Sequence, residues 1–243
     1  NFNVLTKMCT VRMREAAIEM IDAAHARGCK VAVNGSDAAD RPALYLAAGA
    51  DAVVIGEGEE AILELVEAWR ADPDASLDGI HGLVLPEKAG AVRRTMPRSA
   101  EEDLDALPFP AWDLVDPAAY RRAWIGAHGR FSWNMVTSRG CPYKCNWCAK
   151  PIYGNRYNSR SAENVVEEIA WLMEKYKPDH FWMCDDIFGL KPGWIQQFNQ
   201  KVQEKNLKFK YKIQSRADLL LEPGTIKALA DSGAETVWIG AES

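Results

Sequence analysis

Residues 132–148, SWNMVTSRGCPYKCNWC, decide how this chain is read. Ser132 to Thr137 reads as a short β-strand, and the loop directly after it carries Cys141, Cys145 and Cys148 in a CxxxCxxC set. Three thiolates this close together can converge on one metal centre, and thiolate ligands suit iron–sulfur clusters and zinc. A structural zinc or an electron-carrying cluster normally takes a fourth protein ligand, and no further cysteine or histidine follows until His180 and Cys184. A set of three leaves one position open for a substrate or cofactor. Around the thiols, from Arg139 to Ala162, stand Arg139, Lys144, Lys150, Arg156 and Arg160 without one acidic residue, although the whole chain has a net charge of -5. Such cations offset thiolate charge and can receive a ligand carboxylate.

Downstream, helix and strand signals alternate. A helix capped by Ser161 runs to Tyr176 with Val165, Ile169, Leu172, Met173 and Tyr176 on one face. Phe181 to Cys184 is the next strand, and Pro192 opens a helix carrying Trp194, Ile195, Phe198 and Val202. Phe209 to Gln214 is a third strand. Pro223 opens a helix that Gly233 closes, and Thr236 to Ile239 is a fourth strand. This rhythm predicts a parallel sheet with crossover helices.

Upstream the pattern is similar but shorter. Ala16, Ala17, Met20, Ile21 and Ala24 recur at helical spacing before Gly28, which is placed for a left-handed cap. Lys30 to Val33 and Asp51 to Ile55 read as strands ending in the glycine-containing turns NGSD and GEGE, and a helix follows from Glu59 to Trp69. After residue 72 the rhythm breaks. A hairpin-like pair of apolar runs flanks Glu87 to Gly90, and the prolines of DLDALPFPAWDLVDPAAY disfavour helix or central strand where they stand.

Composition bounds the function classes. At roughly 150 residues per domain, a chain of 243 residues is about 1.6 domains. Hydrophobic residues at 48% and charged residues at 26% exclude disordered and collagen-like classes. No apolar run is long enough to span a bilayer, and NFNVLTKMCTVRMRE lacks the apolar centre of a signal peptide, so a cytoplasmic protein is expected. The acidic balance, 29 Lys+Arg against 34 Asp+Glu, argues against a dedicated nucleic-acid surface. Six cysteines are too few for a disulfide scaffold.

RGCPYKCNWC, GNRYNSRSAENVVEEI, WMCDDIF, IQSRADLL and WIGAES together resemble the radical S-adenosylmethionine enzymes. In that family such a triad holds a [4Fe-4S] cluster whose open iron site is chelated by the amino and carboxylate groups of S-adenosylmethionine. The resemblance implies Cys141, Cys145 and Cys148 as cluster ligands and Trp147 beside the adenine. It further implies Asp185 or Asp186 near the amino group, Ser215 and Arg216 near the carboxylate, and Glu242 near the amino or ribose hydroxyl groups. Where the family often has Gly-Gly-Glu, this chain has Cys184, Asp185 and Asp186. All of these positions fall at the C-terminal ends of expected strands, where parallel barrels collect ligands. The same residues allow other readings: Asp185 and Asp186 as helix caps, and Arg216 paired with Asp218.

The first half resembles the second part of a cobalamin-binding domain, through NGSDAAD, VVIGEGEEAILELVEAW and the proline-rich segment. The resemblance implies that Thr6, Asn34, Gly35, Gly56, Glu57 and Gly58 line the cleft for the cobalamin nucleotide. No Asp-x-His-x-x-Gly motif is present, so no histidine ligand to cobalt is visible.

The expected fold class is therefore α/β. Residues 1–72 would be part of a Rossmann-like cobalamin-binding domain, 73–130 a linker, and 131–243 the N-terminal half of a radical SAM (β/α) barrel, both domains being cut short. The resemblance implies the [4Fe-4S] cluster, S-adenosylmethionine and cobalamin as cofactors. It implies a small-molecule substrate and a one-electron reductant such as ferredoxin or flavodoxin, with neither nucleic acid nor a membrane span. The reaction expected is reductive cleavage of S-adenosylmethionine followed by cobalamin-dependent methylation of an unactivated carbon. A radical cyclase or rearrangement enzyme is the alternative within the family, and a structural zinc or electron-carrier module the alternative outside it.

Overall fold

A computed structural model describes residues 10–146, 148 and 152–240. It divides into two units, Asn1–Glu101 with Lys144–Gly154 and Glu102–Tyr143 with Asn155–Ser243.

In the first unit the order is α1 (Thr10–His25), β1 (Ala32–Asn34), α2 (Ser36–Asp40), α3 (Pro42–Ala47), β2 (Ala52–Val54), α4 (Glu59–Ala71), β3 (Leu83–Pro86) and β4 (Val92–Arg94). The sheet order is β1-β2-β3-β4. β1 and β2 run parallel, and β3 and β4 continue the sheet antiparallel. The centre of this unit is β2, whose Ala52, Val53 and Val54 are each 0% exposed. Successive side chains of a strand point to opposite faces. Val53 accordingly packs with Ile21, Tyr45, Leu46 and Val84, while Ala52 and Val54 pack with Ala61, Leu65, Leu83 and Leu85. The apolar runs on either side of Glu87–Gly90 thus become β3 and β4 of the first sheet.

The second unit contains α5 (Pro117–His128), β5 (Ser132–Met135), β6 (Ser138–Arg139), β7 (Asn158–Ser159), α6 (Ala162–Tyr176), β8 (His180–Met183), α7 (Trp194–Glu204), β9 (Lys210–Ser215), α8 (Ala217–Leu220), α9 (Thr225–Ser232) and β10 (Ala234–Ile239). Its main sheet has the order β10-β9-β8-β5, with every pairing parallel. One face carries Trp133, Met135, Phe181, Met183, Tyr211 and Ile213, packed with Val165, Ile169 and Leu172 of α6, Trp194 and Phe198 of α7, and Leu229 of α9. α6 starts where Ser161 accepts the Asn164 N–H at 3.1 Å. α5 arises within the proline-rich stretch because Pro117 occupies the first turn, where its missing N–H costs nothing, and the Asp116 side chain caps the Ala118 N–H. Among the described residues no helix is long and apolar enough to cross a membrane.

Candidate functional site

The C-terminal ends of β5, β8 and β9 bring together residues distant in sequence. Asp185, just beyond β8, is 1% exposed. Its Oδ1 accepts three hydrogen bonds, from the Thr137 N–H at 2.9 Å, the Thr137 hydroxyl at 3.0 Å and the Ser138 hydroxyl at 2.6 Å. Its Oδ2 is buried without a hydrogen-bond partner. Burial raises the carboxyl pKa to about 6, with the Ser138 and Thr137 hydrogen bonds pulling the other way. Asp186, by contrast, is exposed. Of the two carboxylates, the one open to solvent at this strand end is therefore Asp186.

The remaining strand-end positions differ in how they are held. Ser215 is 5% exposed, and its hydroxyl is buried with no hydrogen-bond partner. Arg216 forms a two-pronged ion pair with Asp218, at 2.9 and 3.0 Å, and its guanidinium lies 4.0 Å from the centre of the Tyr143 ring. Cys184 is half-buried, and its thiol pKa is pushed up to about 11, chiefly by burial and then by Asp185. His180 is 1% exposed, with Nδ1 2.8 Å from the Ser132 hydroxyl. Burial and then Arg130 hold its pKa down at about 4, so it is a neutral packing residue.

Ser138 and Arg139 of β6 pair antiparallel with Ser159 and Asn158 of β7, making a two-stranded neck for the cysteine-bearing loop. Arg160 fastens the outgoing side. Its N–H donates to the Thr137 carbonyl at 2.9 Å, and its guanidinium donates to Glu168, 3% exposed in its side chain, at 2.5 Å. The Trp194 indole N–H in turn donates to the Arg160 carbonyl at 2.8 Å. Arg160 stands out in the sequence as one of the loop's cations, but nothing local to it signals that it is tied into the fold.

Of the cysteines themselves, Cys141 and Cys145 are half-buried and Cys148 is exposed. The Cys148 N–H donates to the Cys145 carbonyl at 3.1 Å, which closes a turn between them. Among the described residues no group of three His, Cys, Asp or Glu side chains is spaced to hold a metal ion. What fits an iron–sulfur centre is the chemistry of the donor set, three cysteines on one loop. Trp147, Glu242 and Thr6 lie outside the described residues.

In the first unit, Asn34 at the end of β1 reaches across to β2. Its amide donates to the Val54 carbonyl at 3.1 Å and the Gly56 carbonyl at 3.2 Å. Gly35 follows at φ 144 and ψ 169, a conformation open essentially to glycine alone, and a Cβ added there would enter open space. Gly56 also has a positive φ of 79, while a Cβ on Gly58 would stand 3.6 Å from the Asn34 amide. The Glu57 carboxylate accepts the Glu101 N–H at 3.1 Å, so its charge is partly used within the fold. The turn is lined by backbone and the Asn34 amide. One supporting group escaped the sequence reading. Asp37, in the first turn of α2, receives both prongs of Arg14 at 2.8 and 2.7 Å and the Tyr45 hydroxyl at 2.7 Å. Arg14 holds the Asp37 carboxyl below its usual range, and burial followed by Asp37 pushes Tyr45 up to about 12.

Comparison with known proteins agrees with this architecture. Residues 135–243, which include the cysteine triad and the parallel strands β8, β9 and β10, match the Radical SAM superfamily. An uncharacterized methyltransferase of Pyrococcus horikoshii is 33% identical over 194 residues, covering 79% of this chain and 40% of the relative. An anaerobic magnesium-protoporphyrin IX monomethyl ester cyclase of Synechocystis is 26% identical over 194 residues, covering 79% of this chain and 37% of the relative. The chain thus spans less than half the length of these relatives. Among solved structures, the radical S-adenosylmethionine methyltransferase TsrM of Kitasatospora setae, with cobalamin and a [4Fe-4S] cluster bound, superposes with a TM-score of 0.73 at 19% identity, covering 94% of this chain and 44% of that one. With the cysteine loop behind a parallel strand, polar residues at the strand ends and an α/β unit before it, the chain carries a Radical SAM superfamily domain over residues 135–243 and shares the fold of a structure solved with cobalamin.

Proposed function

We propose that this chain is the cofactor-binding part of a cobalamin-dependent radical S-adenosylmethionine methyltransferase. The observation that carries the reading is the CxxxCxxC triad, lying within the stretch that matches the superfamily. Cys141, Cys145 and Cys148 would hold a [4Fe-4S] cluster, and Trp147, Asp186, Ser215, Arg216 and Glu242 would hold S-adenosylmethionine. Asn34, Gly35, Gly56, Glu57 and Gly58 would receive cobalamin. Bound there, these groups would supply a 5′-deoxyadenosyl radical and a transferable methyl group.

The chain's own residues bind and orient. The Ser215 hydroxyl, buried with no partner in the fold, is available to a ligand carboxylate. Arg216 is held by Asp218 with its charge shared, so it would direct a carboxylate rather than neutralise it alone. Asp186 is the exposed carboxylate for the ligand's amino group. At the other site the backbone of Gly35 and Gly56 allows close approach, and Asn34 fixes the spacing between the two turns. The setting is cytoplasmic, with a small-molecule substrate and a one-electron reductant such as ferredoxin or flavodoxin.

Anaerobic reconstitution tests the reading. About four irons per chain and 5′-deoxyadenosine formation on reduction are expected. A protein that binds iron equally well as Cys145→Ala would sink it. The similarity to a cyclase favours a second reading, ring closure without methyl transfer. Product mass separates the two, since only methylation adds a methyl group.

A further inference from the structure

We propose that Asp185 is a positioning residue for the cysteine loop: its carboxylate clamps the strand that feeds Cys141. The inference builds on the reading of Cys141, Cys145 and Cys148 as cluster ligands, and assigns Asp185 to supporting one of them instead of touching S-adenosylmethionine.

The geometry is specific. All three donors that meet Oδ1 come from Thr137 and Ser138, the last residues before the loop, with Cys141 three positions beyond Ser138. They comprise the Thr137 backbone N–H and both hydroxyls. Ser138 is at the same time half of the β6–β7 neck, paired with Ser159, and the other side of that neck is tied by the Arg160 N–H to the Thr137 carbonyl. The incoming strand is therefore held from two directions: by Asp185 from the end of β8, and by Arg160 from the end of β7. A carboxylate is an expensive way to satisfy one buried N–H, because taking it from water disfavours its charged form. A neutral side chain would cap Thr137 at less cost. What the carboxylate adds is an acceptor able to take three short bonds at one oxygen, which fixes both side chains and the main chain together. Asp186 beside it is exposed. The consecutive carboxylates thus have separate tasks.

The test uses the metal-free full chain, so that no cluster is needed for the readout. Cys141 alkylation by iodoacetamide is followed by peptide mass spectrometry, together with amide hydrogen exchange over residues 137–143. Asp185→Ala is expected to raise both rates about tenfold, the equivalent of one lost hydrogen-bonding group, while exchange in α6 and β9 stays as in the parent. Asp185→Asn, which keeps an oxygen at the same place, is expected to restore most of the protection. Thr137→Val/Ser138→Ala removes the two hydroxyl donors from the opposite side. It is expected to reproduce the effect and to add less than its own increment on top of Asp185→Ala. Unchanged rates at Cys141 in an Asp185→Ala protein that melts like the parent would overturn the proposal, as would fully additive effects. If Asp185→Ala does not fold, the hydroxyl variants carry the decision, and unchanged rates there overturn it equally. Iron content of the reconstituted parent is measured alongside. A parent that takes up no iron refutes the cluster reading, whereas the neck measurement stands or falls on its own.

Discussion

The turn after β1 in the first unit is lined by backbone and one amide, whereas the strand ends of the second unit carry hydroxyls and a buried carboxylate and lead at Cys141 into the cysteine loop. The first arrangement, as the proposed ligand site, would act by leaving room. The second acts through groups whose charge, protonation and reach matter. Glycine turns occur in many proteins for local reasons, while clustered cysteines on a strand-end loop have few uses besides metal binding. The contrast explains why similar sheet geometry yields one site that is specific in its chemistry and another specific mainly in its shape.

Four substitutions or titrations test this contrast. The largest effect is expected at the thiols. Cys145→Ala should abolish iron uptake on anaerobic reconstitution while leaving the thermal transition of the metal-free chain in place, as read by iron analysis and circular dichroism. Next comes Gly35→Val, which forces a β-branched residue into a conformation it avoids. A loss of about 1–3 kcal/mol by urea denaturation is expected, with iron uptake unchanged. If that variant loses iron as readily as Cys145→Ala, the two sites are not built on separate principles.

Third, Asp37→Asn weakens the two-pronged hold on Arg14 beneath the same turn. A loss of about 2 kcal/mol is expected in the same measurement. The smallest effect is the pH dependence of the second unit, where two buried groups oppose each other. The Asp185 carboxyl has its native pKa raised to about 6, so its contribution to stability is complete below about pH 4 and is lost as the pH rises through about 6. His180 has its native pKa lowered to about 4, so its contribution is complete above about pH 6.5 and is lost as the pH falls through about 4. The parent should therefore show a shallow stability profile across that window. His180→Gln should unmask the Asp185 slope, with stability increasing as the pH is lowered from 6 to 4. A profile with the opposite slope would contradict the assignment.

Much of the molecule was legible in the sequence because its signals are local. Val165, Ile169 and Leu172 recur at helical spacing and are buried in α6, Ser161 caps that helix, and the runs Phe181–Cys184 and Phe209–Gln214 fall on β8 and β9. The proline-rich stretch was less legible. A proline disfavours helix interiors but favours first turns, and whether Pro117 does one or the other depends on Asp116 capping the turn it begins. Asp185 shows the sharper limit. In sequence it is indistinguishable from Asp186, since two adjacent carboxylates at a strand end have the same local pattern.

By itself, then, the sequence determined the alternation of strands and helices, the three thiols and their spacing, and the positive charge around them, because each depends on residues near one another in the chain. Tertiary structure alone decided that Asp185 turns inward to Thr137 and Ser138 while Asp186 faces solvent, that Asn34 bridges two turns, and that Arg14 finds Asp37. These contacts join residues up to 48 positions apart. Burial makes a polar group's partner obligatory, and only the packed fold determines which groups are buried and which partners lie within reach.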